Sequence, residues 1–149
     1  MAPNIQDTEI LEQYATFIIA DRLCGIDVTK VQEVVRPITM TKIPLAASFI
    51  RGLINLRGQV ATAIGLRELF GLGSDHREPM NVVCQLDGDL VSLLVDEIGD
   101  VIEVSRATYE AAPATIPKNL GAYIAGVYKL KDGLLSVIDI EHLFKTVNT

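Results

Sequence analysis

The stretch FIRGLINLRGQVATAIGLRELF at residues 49–70 aligns without a gap on YIAGVYKLKDGLLSVIDIEHLF at residues 123–144. Ile50 meets Ile124, Gly52 meets Gly126, Leu56 meets Leu130, Ile64 meets Ile138, and Leu69-Phe70 meets Leu143-Phe144. Self-similarity of this kind marks a molecule built from copies of one unit. Upstream, the match continues at a shorter offset: Ile19, Ile26, Val28, Val31, Val34 and Val35 fall on Leu86, Leu93, Val95, Ile98, Val101 and Ile102. The offset rises from 67 to 74 residues, so the second copy carries seven extra residues, which the spacing assigns to Arg106–Ala122.

Each copy opens with two β-type runs around a polar turn, Tyr14–Ile19 and Leu23–Val28 around Ala20-Asp21-Arg22, then Asn81–Leu86 and Leu90–Val95 around Asp87-Gly88-Asp89. Turn residues between apolar runs read as hairpins. A second hairpin follows in each copy, with tips at Arg57-Gly58 and Lys131-Asp132-Gly133. Val28, Val31, Val34 and Val35 recur at helical spacing before Pro37, which predicts a short helix or turn there. Each copy closes on a helical turn, Leu66–Phe70 or Ile140–Lys145. Short strands with turns every 8–12 residues point to small barrels. The reading is an N-terminal lead at 1–13 and one domain at 14–149, with a first β-barrel copy at 14–75 and a second at 81–149, and with strand exchange between them left open.

A chain of 149 residues that is 49% hydrophobic and 21% charged builds a substantial core. The formal charge of −6 argues against nucleic acid, which needs clustered Lys and Arg. No apolar run is long enough to span a bilayer, and Met1–Gln13 is acidic and polar where a signal peptide is basic and apolar, so a cytoplasmic location is expected.

Catalytic and metal-binding patterns are missing from the sequence, and neither a metal nor another cofactor is expected. Cys24 and Cys84 stand without CxxC or Cys/His spacing and read as buried thiols. His76, in a polar turn, and His142, on the last helical turn, read as surface histidines. Asp96 and Glu97 are adjacent and face opposite ways in an extended segment.

The succession LCGIDVTKVQEVV (23–35), FIRGLINLRGQVATAIGLRELFG (49–71), LLVDEIGDVIEV (93–104) and YIAGVYKLKDGLLSVIDIEHLF (123–144) resembles the bacterial chemotaxis coupling proteins, the CheW-like family. The resemblance runs from Tyr14 to Phe144, and Asn55-Leu56-Arg57-Gly58 after Gly52 is its most specific part. It implies an all-β fold of two similar five-stranded SH3-like barrels with short helical turns, a groove between them and no active site. It also implies two partners: the regulatory domain of the chemotaxis histidine kinase and the cytoplasmic hairpin tip of chemoreceptors. The chain would then be a non-catalytic adaptor in a signalling array, held at the membrane only through partners and monomeric when free. One departure is Gly65, where the family commonly has Asp; the second copy keeps Asp139.

For the receptor, the resemblance implies Arg57, with Asn55 either holding the turn or touching the partner. On physical grounds alone Arg57 is a solvated tip residue. It likewise implies that Val28, Val31, Val35 and Val82 line the groove, whereas core packing is the default for such a stripe. For the kinase it implies Val101, Val104 and Val127. Two other functions compete: a detached regulatory domain of a chemotaxis kinase, against which the short lead and tail argue, and a small-molecule-binding barrel or cysteine-dependent enzyme.

Overall fold

The computed structural model describes residues 10–73 and 77–147, so His76 lies outside the described residues. In chain order, β1 (Leu11–Ile19) and β2 (Arg22–Asp27) form the first hairpin, and a 3-10 turn at Val28–Lys30 leads into β3 (Val31–Val35). The second hairpin is β4 (Ile50–Leu56) with β5 (Gln59–Gly65), closed by the helical turn α1 (Leu66–Leu69). The second copy repeats this with β6 (Met80–Leu86), β7 (Asp89–Val95) and β8 (Glu97–Ser105). It continues through the two-residue β9 (Tyr109–Glu110), whose pairing to Val127 matches the Thr41–Leu53 bridge of the first copy, and through the short helix α2 (Lys118–Gly121). It ends on β10 (Ile124–Leu130), β11 (Gly133–Ile138) and α3 (Ile140–Val147).

The short helix or turn expected over Val28–Val35 is confined to the 3-10 turn at Val28–Lys30, and from Val31 the chain is a strand. Asp27 caps the 3-10 turn by accepting from the Thr29 N–H at 2.9 Å, and the β-branched run then extends. In β3 the burial alternates, with Val31, Glu33 and Val35 half-buried and Gln32 and Val34 exposed, the period of a strand. The helical spacing of the valines coincides with this alternation only at Val31 and Val35.

The strands form two sheets, in the orders β8-β1-β2-β11-β10-β9 and β3-β6-β7-β5-β4. Each sheet mixes the copies. The β1–β2 hairpin of the first copy lies between β8 and β11 of the second, and the β6–β7 hairpin of the second lies between β3 and β5 of the first. The registers obey the same two-fold relation: Val31 faces Cys84 as Ile98 faces Phe17, and Thr62 runs parallel to Val91 as Ser136 does to Cys24. Gly52 and Gly126 also sit at equivalent bulges, opposite Ala63 and Val137. A side chain at either would collide with the strand crossing it, at the Thr41 carbonyl or at Tyr109.

Neither ladder returns to its first strand, so the sheets, of six and five strands, are open rather than closed five-stranded barrels. They nevertheless curl. Val104 of β8 and Tyr128 of β10 are far apart in the ladder yet share one interior with Tyr14, Leu135 and Val137. The five-stranded sheet encloses an equivalent interior, where Ile54, Ala61 and Ala63 stand for Tyr128, Leu135 and Val137. The largest core is the seam between the sheets, joining Phe17 and Ile26 of one to Ile64 and Leu93 of the other. Ile64 and Ile138 are 0% and 3% exposed within it. Truncating either to Ala is expected to cost about 2–5 kcal/mol of stability. Urea denaturation measures this, and an unchanged midpoint would mean that the seam does not hold the sheets together.

Candidate functional site

Arg57 stands at the β4–β5 tip with a left-handed backbone (φ 50°), beside Gly58 at φ 86°. Two positive φ values make the type I′ turn that matches strand twist. Asn55 holds this turn, its Oδ1 accepting from the Gly58 N–H at 3.1 Å. The Arg57 side chain is 77% exposed, and its Nη2 donates to Glu33 Oε2 on β3. Since β3 and β4 are opposite edges of their sheet, this ion pair bridges the gap that the ladder leaves open. The equivalent tip in the second copy differs: its positive φ is at Gly133, and no ion pair joins Lys131 to Asp100, the counterpart of Glu33, among the described residues.

The apolar candidates divide by depth. Val28, Val31 and Val35 are half-buried; Val31 packs against the seam and Val35 against the interior of the five-stranded sheet. Val82 is corrected: at 2% exposure it is a seam residue with no surface to offer. Its cross-strand neighbour Val34 is 44% exposed and takes its place beside Glu33 on β3. The kinase candidates need the same correction. Val101 is 55% exposed on the edge strand β8, but Val104 (5%) and Val127 (2%) fill cores. Neither Glu33 nor Val34 was picked out by sequence reasoning, although a strand reading of 31–35 would have brought both out beside Arg57.

A second polar centre was also missed. Asp96 is the single residue between β7 and β8, where the chain passes from one sheet to the other. Its carboxylate receives Arg67 in bidentate fashion, Nε to Oδ1 and Nη2 to Oδ2, both at 2.8 Å, and also the Ala20 N–H at 2.8 Å. The Asp96 side chain is 6% exposed, while that of its neighbour Glu97 is 62% exposed. Charge-assisted bidentate pairs of this kind fix geometry as well as adding energy.

No group of three His, Cys, Asp or Glu able to hold a metal ion occurs among the described residues. Both thiols are buried, and burial pushes Cys24 and Cys84 up to about 12. His142 is exposed on α3, its ring 5.0 Å from that of Tyr123.

The family model for the CheW-like domain matches residues 13–148. The chain belongs to the CheW-like family. The chemotaxis protein CheW of Helicobacter pylori is 27% identical over 142 residues, covering 94% of this chain and 86% of that one. That of Bacillus subtilis is 30% identical over 130 residues, covering 86% and 83%. Among solved structures, the scaffolding protein TtCheW from Thermoanaerobacter tengcongensis matches with a TM-score of 0.78 at 31% identity, over 87% of this chain and 89% of that one. No helix among the described residues is long and apolar enough to cross a membrane.

Within this CheW-like fold, Gly65 is compensated by its neighbour. Asp139 caps α3 by accepting from the His142 N–H at 3.0 Å, whereas Gly65 offers α1 no side chain. The Glu68 carboxylate fills the space beside Gly65, held there by Arg51 at 2.7 Å. A negative charge thus stays at the start of α1, where the helix dipole favours it.

The thiols give a pH signature. Each is raised in the folded chain from an ordinary 9.0 to about 12, so its share of stability is whole below pH 9 and is lost as pH climbs toward 12. The expected loss is about 1.4 kcal/mol per pH unit for each thiol. Urea midpoints across that range measure it, and a Cys24→Ala/Cys84→Ala chain should give a flatter profile.

Proposed function

We propose that this chain is a non-catalytic adaptor that couples chemoreceptors to the chemotaxis histidine kinase, working in the cytoplasm and held at the membrane array through its partners. The observation that carries the reading is the CheW-like match over nearly the whole chain, seconded by a solved neighbour described as a scaffolding protein. The chemistry of the described residues supports it. The thiols are buried and protonated at neutral pH, and His142 lies near a Tyr ring rather than a nucleophile.

In this reading the receptor hairpin tip lies along β3 and the β4–β5 turn. Val28, Val31, Val34 and Val35 supply a partly exposed apolar strip, and Arg57 supplies the directional contact. Its guanidinium has five N–H donors in a fixed fork, and Glu33 engages one nitrogen. The remaining donors are free to meet a carboxylate or carbonyl on the receptor. Asn55 then acts on the turn rather than on the partner. The kinase regulatory domain meets the β8 edge at Val101, with Val104 and Val127 supporting that sheet from within. Each contact can be weak, because an array multiplies it, and the free chain is monomeric.

Arg57→Glu tests the receptor assignment against Lys131→Glu, the same charge reversal at the equivalent tip. An exposed ion pair contributes at most about 1 kcal/mol, so both variants should unfold at nearly the native urea concentration. Receptor affinity should fall about tenfold or more for Arg57→Glu only, which is about 1.4 kcal/mol, with kinase affinity unchanged in both. Equal receptor binding by the two variants, at matched salt, would leave Arg57 as a turn residue and sink the assignment.

A further inference from the structure

The two-fold relation between the copies also fails where the chain changes sheets. Asp96 makes the crossing from β7 to β8 in one residue and is tied to the turn of the first hairpin and to α1. The equivalent crossing from β2 to β3 is the three-residue turn Val28–Lys30, and the equivalent of Asp96 there is Thr29. Thr29 bonds only locally, through its N–H and hydroxyl to Asp27 Oδ1 at 2.9 and 2.8 Å. The counterpart of Arg67 is Glu141 on α3, and that of Glu97 is Lys30. The clamp has lost its acceptor, and its cation has become an anion.

A cleft of about 670 Å³ opens at this second crossing, between Lys30, the β6–β7 turn at Asp87 and the α3 residues Glu141 and Phe144. Among the described residues, no ion pair joins Lys30 to Glu141, Asp87 or Asp89. Elsewhere the sheets meet through the apolar seam, whose attraction is non-directional. The first crossing is therefore fixed by three short directional bonds, whereas at its twin, among the described residues, no bond ties Thr29 or Lys30 to Glu141 or to the β6–β7 turn.

We propose that the two sheets are hinged at the Asp96–Arg67 clamp and that the molecule opens and closes at the Thr29–Glu141 crossing, where the cleft over Phe144 changes width. The hinge needs no partner. Its bearing on receptor binding, through Val28 and Val31 on the loose side, rests on the proposed function.

Native-state hydrogen exchange of the whole chain, followed residue by residue by NMR, tests it. The edge strands β3 and β8 are the fair comparison, because they pair in equivalent registers with β6 and β1. Ladder-bonded amides of β3 should exchange about tenfold faster than their equivalents in β8. Asp96→Asn should speed β8 and the Ala20 turn while leaving β3 near its native rate. Thr29→Arg, which restores opposite charges with Glu141 at the positions equivalent to Asp96 and Arg67, should slow β3 about tenfold and leave β8 unchanged. Equal protection of β3 and β8 in the native chain would overturn the hinge. So would a folded Thr29→Arg chain with unchanged β3 rates, or an Asp96→Asn chain in which both strands speed up by one factor, the mark of uniform destabilisation. Should Asp96→Asn fail to fold, the native comparison and Thr29→Arg still decide.

Discussion

The parallel ladders β2–β11 and β5–β7 are the constraint on which everything else rests, because each joins a hairpin of one copy to a hairpin of the other. An isolated two-stranded hairpin is marginal in water, and a sheet becomes stable when further strands cover its edges and one face is buried. Here those strands come from the other repeat. The first hairpin of each copy has the partner copy on both sides, so neither repeat retains a complete sheet by itself. The repeat in sequence is thus a unit of symmetry, whereas the sheet is the unit of folding, and the two do not coincide.

Interlocking also explains where polar groups were placed. Two crossings carry the chain between sheets, at Val28–Lys30 and at Asp96. At Asp96 a carboxylate gathers Arg67 and the Ala20 N–H. The second bond matters locally: Ala20 and Asp21 are left-handed non-glycine residues, a conformation that disfavours L side chains by roughly 1–2 kcal/mol each. The corresponding turn in the second copy uses Asp87-Gly88, which suits the type I′ geometry without outside support. The copy with the poorer turn sequence is the one whose turn is clamped.

Much of this was legible in sequence and some was not, for physical reasons. The gapless match of 49–70 on 123–144 gave both second hairpins, their bulged glycines and the closing helices, because strand period and turn chemistry are local properties. Strand exchange is invisible at that level, since Cys24 and Val91 look equally apolar whichever copy covers them. Residues 28–35 misled because valines at 28, 31 and 35 satisfy a helical period and, from 31 onward, a strand period as well. Val82, Val104 and Val127 belong to strands with large buried faces, where an apolar residue carries no mark separating core from groove. Asp96 and Glu97 were read as facing apart, yet both carboxylates lie 3.8 Å from the Arg77 guanidinium, and the lower exposure of Asp96 depends on Arg67 and Ala20, 29 and 76 residues away.

The position of Arg57 follows from the same geometry. An open curled sheet has two free edges near each other, and at that gap backbone pairing has stopped. A long side chain from the turn at one edge can reach a carboxylate on the other, which is what Arg57 and Glu33 do. The pair is too exposed to contribute much to stability. It places the guanidinium over β3, and in the receptor contact proposed above Glu33 would serve as a positioning residue, lowering the entropy lost as the remaining donors engage. The second copy, with Lys131 at its tip and no such pair to Asp100, lacks this preorganisation. The asymmetry between two similar tips lies less in their charge than in which one is held ready.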